Sequence, residues 1–252
     1  MEILLPDNIF ARILSSVLDD EDRIKLRYYP SSLLSKNAIE NKDAVALIPT
    51  LDLLNHKDLF VSSKLGISFD EPISNSFIYF SQDEKSLKEI VLAGDVSTNE
   101  AILGKILFSE NYGIDVQLSI EKQNGGSSHK NRILVGDRNF VEGNITSAIG
   151  FAEEVSELVL GPYINFIFVS EFESALKEFH SKYLELISAI NPTEVFENMN
   201  ENFHLSAKNY LLENLQHVVY DFDEQDLEGM KQLLQLPYYH GIIKDLIDVK
   251  FV

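Results

Sequence analysis

Leu134-Val135-Gly136-Asp137-Arg138-Asn139-Phe140 reads as a buried strand that runs into a Gly-Asp turn. The stretch stands between two segments that share one alternation of short apolar runs and helical periodicity. A polar group at the end of such a strand faces the cleft between two α/β halves.

Upstream, the first fifty residues give an apolar run at 3–5, a helical pattern at 9–18, a strand at 24–28, a helix at 32–40 and a strand at 44–48. That rhythm predicts parallel strands joined by crossover helices. Asp7 is placed to cap the first helix and Ser31 or Ser32 the second. Capping and ligand contact both stay open at these three positions, because the mouth of a parallel sheet brings caps and ligands together.

Residues 65–81 read as two extended runs around Asp70-Glu71-Pro72. A second α/β unit follows, with strands at 90–92, 116–120 and 133–135, a helix at 97–110, a helix at 150–158 and a strand at 165–169. The polar loop 122–131, with Asn124-Gly125-Gly126, is the expected mobile segment. After residue 171 the pattern is helical throughout, at 172–189, 192–199, 206–215, 223–234 and 238–247. Asp223 caps the helix that carries Leu227, Met230 and Leu234, and Phe172, Phe179, Tyr183 and Tyr210 are expected in the core. The expected fold class is therefore α/β, two-lobed, with a helical C-terminal region. Residues 1–80 with 170–252 form lobe one and 81–169 lobe two, and two crossings make a hinge and a cleft.

The chain has 252 residues, 45% of them hydrophobic, which is enough for one large domain or two lobes with apolar cores. It has no cysteine, which removes disulfides, thiolate metal sites and a cysteine nucleophile and fits a reducing compartment. Met1-Glu2-Ile3-Leu4-Leu5-Pro6-Asp7 lacks a basic n-region and a long apolar core. The most apolar stretch, 158–169, is short and broken by Gly161-Pro162. The expectation is a soluble, cytoplasmic protein. A net charge of −19 repels phosphate backbones and anionic lipid, so neither nucleic acid nor membrane is expected as a partner. The five arginines are Arg12, Arg23, Arg27, Arg132 and Arg138, and an anionic substrate must be held by local donors.

No Walker-type loop, G-x-G-x-x-G, H-E-x-x-H or G-x-S-x-G occurs, and the six histidines lack close metal-ligand spacing. A zinc enzyme and a serine–histidine hydrolase are disfavoured, and His129 reads as a bystander in its loop. What remains is a set of polar groups at predicted strand ends: Asn8, Thr50, Ser76, Ser97-Thr98-Asn99 and Asp137. The Ser97-Thr98-Asn99 turn opens a helix and offers N–H donors to a carboxylate.

With Tyr29-Pro30-Ser31-Ser32-Leu33-Leu34, Val45-Ala46-Leu47-Ile48-Pro49-Thr50, Leu65-Gly66-Ile67-Ser68-Phe69-Asp70-Glu71-Pro72 and Ser76-Phe77-Ile78-Tyr79-Phe80-Ser81, the chain resembles the chorismate dehydratase family of the futalosine route to menaquinone. Residues 134–138, Tyr220-Asp221 and Leu227-Glu228-Gly229 continue the resemblance. It implies the type 2 periplasmic-binding-protein fold and a carbon–oxygen lyase that eliminates water from chorismate in an interlobe cleft, with no cofactor and no metal. It also implies Asn8 and Ser76 at the reacting centre, with Asp7, Ser31, Thr50, Ser97, Thr98, Asn99 and Asp137 holding a small carboxylate substrate. Two departures stand out. Leu5-Pro6-Asp7-Asn8 keeps only the asparagine of the family's first strand end, and Val96-Ser97-Thr98-Asn99-Glu100 loses an arginine and gains an acid. They favour an alternative, a non-catalytic small-molecule (carboxylate) binding protein on the same fold. A sister enzyme acting later in the route would need a longer pocket and an evident base.

Overall fold

The computed structural model describes residues 1–18, 25–70, 72–83, 86–121 and 130–252. Residue 24 of the expected second strand, Glu71 of the expected turn, and residues 122–129 of the expected mobile loop, with His129, lie outside the described residues.

The expected parallel core is present. β1 (Glu2–Pro6) lies between β2 (Leu26–Tyr29) and β3 (Ala44–Pro49), parallel to both. β3 is buried at all six positions, the continuous apolar pattern of a strand covered by helices. The first helix is shorter than expected, Ile9–Leu14, and tightens into a 3-10 turn at Ser15–Val17; the second, Leu34–Glu40, follows a 3-10 turn at Ser31–Leu33.

β4 (Phe60–Phe69) and β10 (Tyr163–Ser170) extend this sheet antiparallel, β10 filling the place between β3 and β4. The second sheet runs β7-β6-β8-β5-β9, from β5 (Ser76–Tyr79), β6 (Glu89–Gly94), β7 (Gln117–Ile120), β8 (Arg132–Val135) and β9 (Ile149–Gly150). Thus β5 pairs in the second sheet and β10 in the first, whereas the expected boundaries at 80/81 and 169/170 assign each to the other lobe. β4 ends at Phe69 and β5 begins at Ser76, and the two extended segments pair in different sheets rather than with each other. Sheet pairing therefore divides the lobes: β5 to β9 belong to the second, and the strands paired with the β2-β1-β3 core or with β4 belong to the first.

The C-terminal region is less uniformly helical than expected. Helices Glu173–Ser188, Pro192–Glu197, Leu205–Asn214 and Glu224–Tyr239 form. Between the last two, β11 (Val218–Asp221) adds to the β4 edge of the first sheet, and β12 (Lys250–Phe251) pairs with the start of β4. Asp223 caps as expected, accepting from Gln225 N at 2.7 Å and Asp226 N at 3.1 Å. The last helix passes through Pro237, where a break was expected, and ends two residues later at Tyr239. The expected helix at 238–247 is absent. Gly241, at φ +66°, turns the chain, and the N–H groups of Ile242 and Ile243 fold back onto Pro237 O. Phe179 and Tyr183 are buried against the sheet, with the Phe179 ring tilted against Phe168 at 4.7 Å between centres, but Phe172 is exposed at the helix start. Tyr210 is half-buried against Phe77 of the second lobe.

Candidate functional site

Strand ends from both lobes meet at one junction. β6 and β8 are parallel neighbours, and both end in Gly-Asp: Gly94-Asp95 and Gly136-Asp137. The glycines have φ of +84° and +80°, a conformation that side chains other than glycine rarely adopt. A Cβ on Gly136 would lie 3.3 Å from Asp95 Cβ, so the two turns are adjacent.

Each aspartate reaches to the first lobe. Ser31 donates to Asp95 twice, from its N–H at 2.9 Å and its Oγ at 2.6 Å. Ile9 N donates to Asp137 Oδ1 at 3.0 Å, and the Arg12 guanidinium donates to Asp137 Oδ2. Arg12 also faces Asp7 at 2.6 Å and Glu201 at 3.4 Å. A third crossing comes from the second-lobe helix Thr98–Tyr112. Leu51 N donates to Asn99 Oδ1 at 2.9 Å, and Asn99 Nδ2 donates to Asn165 O at 2.8 Å and Oδ1 at 3.0 Å. Thr98 hydrogen-bonds the buried Asp52.

That helix opens with a capping box. Ser97 N and Oγ donate to Glu100 Oε2 at 3.0 and 2.7 Å, and Ser76 Oγ lies 3.2 Å from Glu100 Oε1 and 2.9 Å from Asn75 Oδ1. Ser76 has one hydroxyl proton for two acceptors. A protonated Glu100 resolves this by donating to Ser76, which then donates to Asn75. Burial pushes the Glu100 carboxyl upward in the same sense, against the bonds from Ser97 and Ser76. Burial also raises Asp137, to about 6, against the Ile9 N–H and Arg12, with Glu201 and Asp7 adding to the rise. It raises Asp95 against Ser31, and Asp52 against Thr98, Ser35 and His56.

The remaining expected residues find other partners. Asn8 is buried and caps helix Ile9–Leu14, accepting from Ala11 N at 2.9 Å. It takes the capping place expected for Asp7, whose carboxylate is exposed on Arg12. Neither Ser31 nor Ser32 caps the second helical segment: Pro30 holds the cap position of the 3-10 turn without a side-chain bond, and Ser31 is turned to Asp95. Thr50 Oγ1 donates to Ile164 O at 2.6 Å within the first lobe. Ser76, Ser97 and Glu100 form one cluster, and Thr98, Asn99 and Asp137 each cross between lobes; among the described residues no hydrogen bond joins Asn8 to Ser76.

Sequence reasoning missed Arg12, Asp52, Asp95 and Asn165. The repeated strand-Gly-Asp of 93–95 and 135–137 was the readable signal for Asp95. Asn165 is buried, and its Nδ2 has no hydrogen-bond partner among the described residues. Two surface grooves, of about 420 Å³ beside Gly161 and Gly229 and about 450 Å³ beside His56 and Phe172, share no lining residue with the cross-lobe bonds. Among the described residues no group of three or more His, Asp or Glu side chains is placed to hold a metal ion.

No protein-family model matches the chain, and comparison with curated proteins finds no match. Solved structures do resemble it. A protein from Archaeoglobus fulgidus superposes with a TM-score of 0.61 at 11% identity, over 96% of this chain and 98% of that one. The ligand-binding component of an ABC-type import system from Staphylococcus aureus, solved with zinc bound, gives 0.57 at 10% identity, over 100% and 95%. The periplasmic aliphatic sulphonate binding protein SsuA of Escherichia coli gives 0.53 at 10% identity, over 99% and 90%. The fold is thus the two-lobed α/β fold of periplasmic binding proteins. Identities this low carry the fold and nothing more.

Proposed function

We propose that the protein binds a small organic anion between its two lobes. The observation that carries this reading is the polar character of the seam: Ser31 with Asp95, Leu51 with Asn99, and Ile9 and Arg12 with Asp137. Hydrogen bonds exchanged against water are worth about 0.5–1.5 kcal/mol each, so these crossing bonds can part and re-form against water or against a ligand. Ile9 N, Arg12 and the two Ser31 donors already hold carboxylate oxygens, and Asn165 Nδ2 is a buried donor without a partner among the described residues. The sulphonate-binding and import-system proteins with the same fold take their names from ligand binding, which supports the reading. The test is the melting temperature of the pure protein with millimolar organic carboxylates and sulfonates. A rise that is lost in Arg12→Gln with Ser31→Ala supports the reading, and no rise with any anion overturns it.

A chorismate dehydratase-like lyase is the second reading, favoured by Glu100. A buried carboxyl raised in pKa beside the Ser76 hydroxyl can deliver a proton to a departing hydroxyl group. Chorismate incubated with the protein then loses its diene absorbance and gains that of a substituted benzoate, and the Asn8→Ala, Ser76→Ala double variant abolishes the change. An unchanged spectrum with a raised melting temperature leaves the binding protein. If neither occurs, chorismate is not the ligand.

A further inference from the structure

Asp95 and Asp137 belong to the second lobe, yet the hydrogen bonds to their carboxylates come from the first. The matching Gly-Asp turns at the ends of adjacent parallel strands present the two groups side by side. The charged groups that face them are Arg12 on helix Ile9–Leu14, Asp7 at the end of β1 and Glu201 between two C-terminal helices. Taking two carboxylates out of water opposes the bonds they accept. Aromatic contacts also cross beside them: Phe140 meets Phe10 with ring centres 6.2 Å apart and Phe203 at 5.4 Å, and Phe77 meets Tyr210 at 5.7 Å.

We propose that Asp95 and Asp137 form a releasable latch that keeps the empty lobes closed, occupying first-lobe donors that an anionic ligand must take from them. The proposal rests on the interlobe binding reading. Truncating the carboxylates leaves Ser31 N and Ile9 N short of acceptors in the closed form and Arg12 with Asp7 and Glu201 alone, and donors in that position favour the open form, where water serves them. An asparagine at 95 behaves differently. It keeps an acceptor for Ser31 N, offers an N–H to Ser31 Oγ and has no charge to desolvate, so it holds the latch shut.

The chain has no cysteine, so Lys36→Cys on the first-lobe helix Leu34–Glu40 and Lys105→Cys on the second-lobe helix Thr98–Tyr112 carry spin labels cleanly; both positions are exposed. Pulsed electron paramagnetic resonance on the ligand-free protein is expected to give one narrow distance distribution, retained in Asp95→Asn. Asp95→Ala with Asp137→Ala broadens it and adds a longer component, as does the donor-side pair Ser31→Ala with Arg12→Gln. The latch is overturned if either pair, folded by circular dichroism and cooperative melting, keeps the narrow distribution. If the aspartate pair does not fold, the donor-side pair decides. These distances need no ligand, so a failure of anions to raise the melting temperature removes the binding reading without touching this result.

Discussion

Asp137 ties the closed arrangement to pH, and its surroundings set the sign. Burial outweighs the Ile9 N–H and Arg12 and holds the carboxyl at about 6, against 3.8 for a free aspartate. The folded state therefore binds this proton more tightly than the unfolded chain does, by about 3 kcal/mol. The group's pKa is raised on folding, so its contribution is fully present below pH 3.8 and is lost as pH rises through about 6. The variant Asp137→Asn cannot titrate, while its Oδ1 still accepts from Ile9 N. The other raised carboxyls, Asp52, Asp95 and Glu100, titrate in both proteins and cancel in the comparison.

The assay is urea unfolding of both proteins at intervals from about pH 4 to about pH 8. The unfolding free energy of the wild type minus that of Asp137→Asn is expected to grow by about 2.4 kcal/mol as the pH falls across this range, with most of the change falling between about pH 6 and about pH 4. A flat difference would falsify the account of Asp137 as a desolvated acid. A difference that shrinks on acidification would mean that the Arg12 ion pair wins over burial and holds the carboxyl below 3.8.

Three further substitutions probe the junction's supports. Glu100→Ala removes the acceptor of both Ser97 bonds and is expected to cost about 1–3 kcal/mol; Glu100→Gln keeps an acceptor for Ser97 and a donor for Ser76 and should melt at or above the wild-type temperature. Equal losses in the two variants would show that the charge itself is required. Gly94→Ala adds a Cβ against the Val135 carbonyl oxygen at φ +84°, and chemical denaturation should show a loss of about 2–3 kcal/mol; wild-type stability would refute the tight turn before Asp95. Tyr220→Phe removes the buried hydroxyl that donates to Phe10 O at 2.9 Å, at a cost of about 1 kcal/mol in urea unfolding, and no loss would count against that bond.

The parallel β2-β1-β3 core was legible because each strand and crossover helix carries its own local pattern, a run of apolar residues or a 3.6-residue period. β11 was not. Val218-Val219-Tyr220 is a run of good strand formers, but it follows a long helical stretch and becomes a strand only because the β4 edge is there to receive it. β5 and β10 were seen as strands and placed in the wrong lobe for the same reason, since sheet membership depends on a pairing partner that local pattern does not name.

The junction residues divide along the same line. Position at a strand end was readable for Asn8, Thr50, Ser76 and Asp137, and role was not, because the partners lie far away in sequence: 64 residues separate Ser31 from Asp95, and 128 separate Ile9 from Asp137. The physical consequence concerns the ligand. In an open cleft these donors would be met by water, and their chemistry would have to be inferred from residue type alone. Here the chain supplies the acceptors itself, and both are carboxylates. The donors of the first lobe are therefore already arranged around carboxylate oxygens at 2.6–3.0 Å. Any ligand that replaces Asp95 and Asp137 must offer acceptors of comparable strength or leave two backbone N–H groups unpaired and Arg12 with only Asp7 and Glu201. A neutral apolar ligand fails that test, and a compact anion passes it.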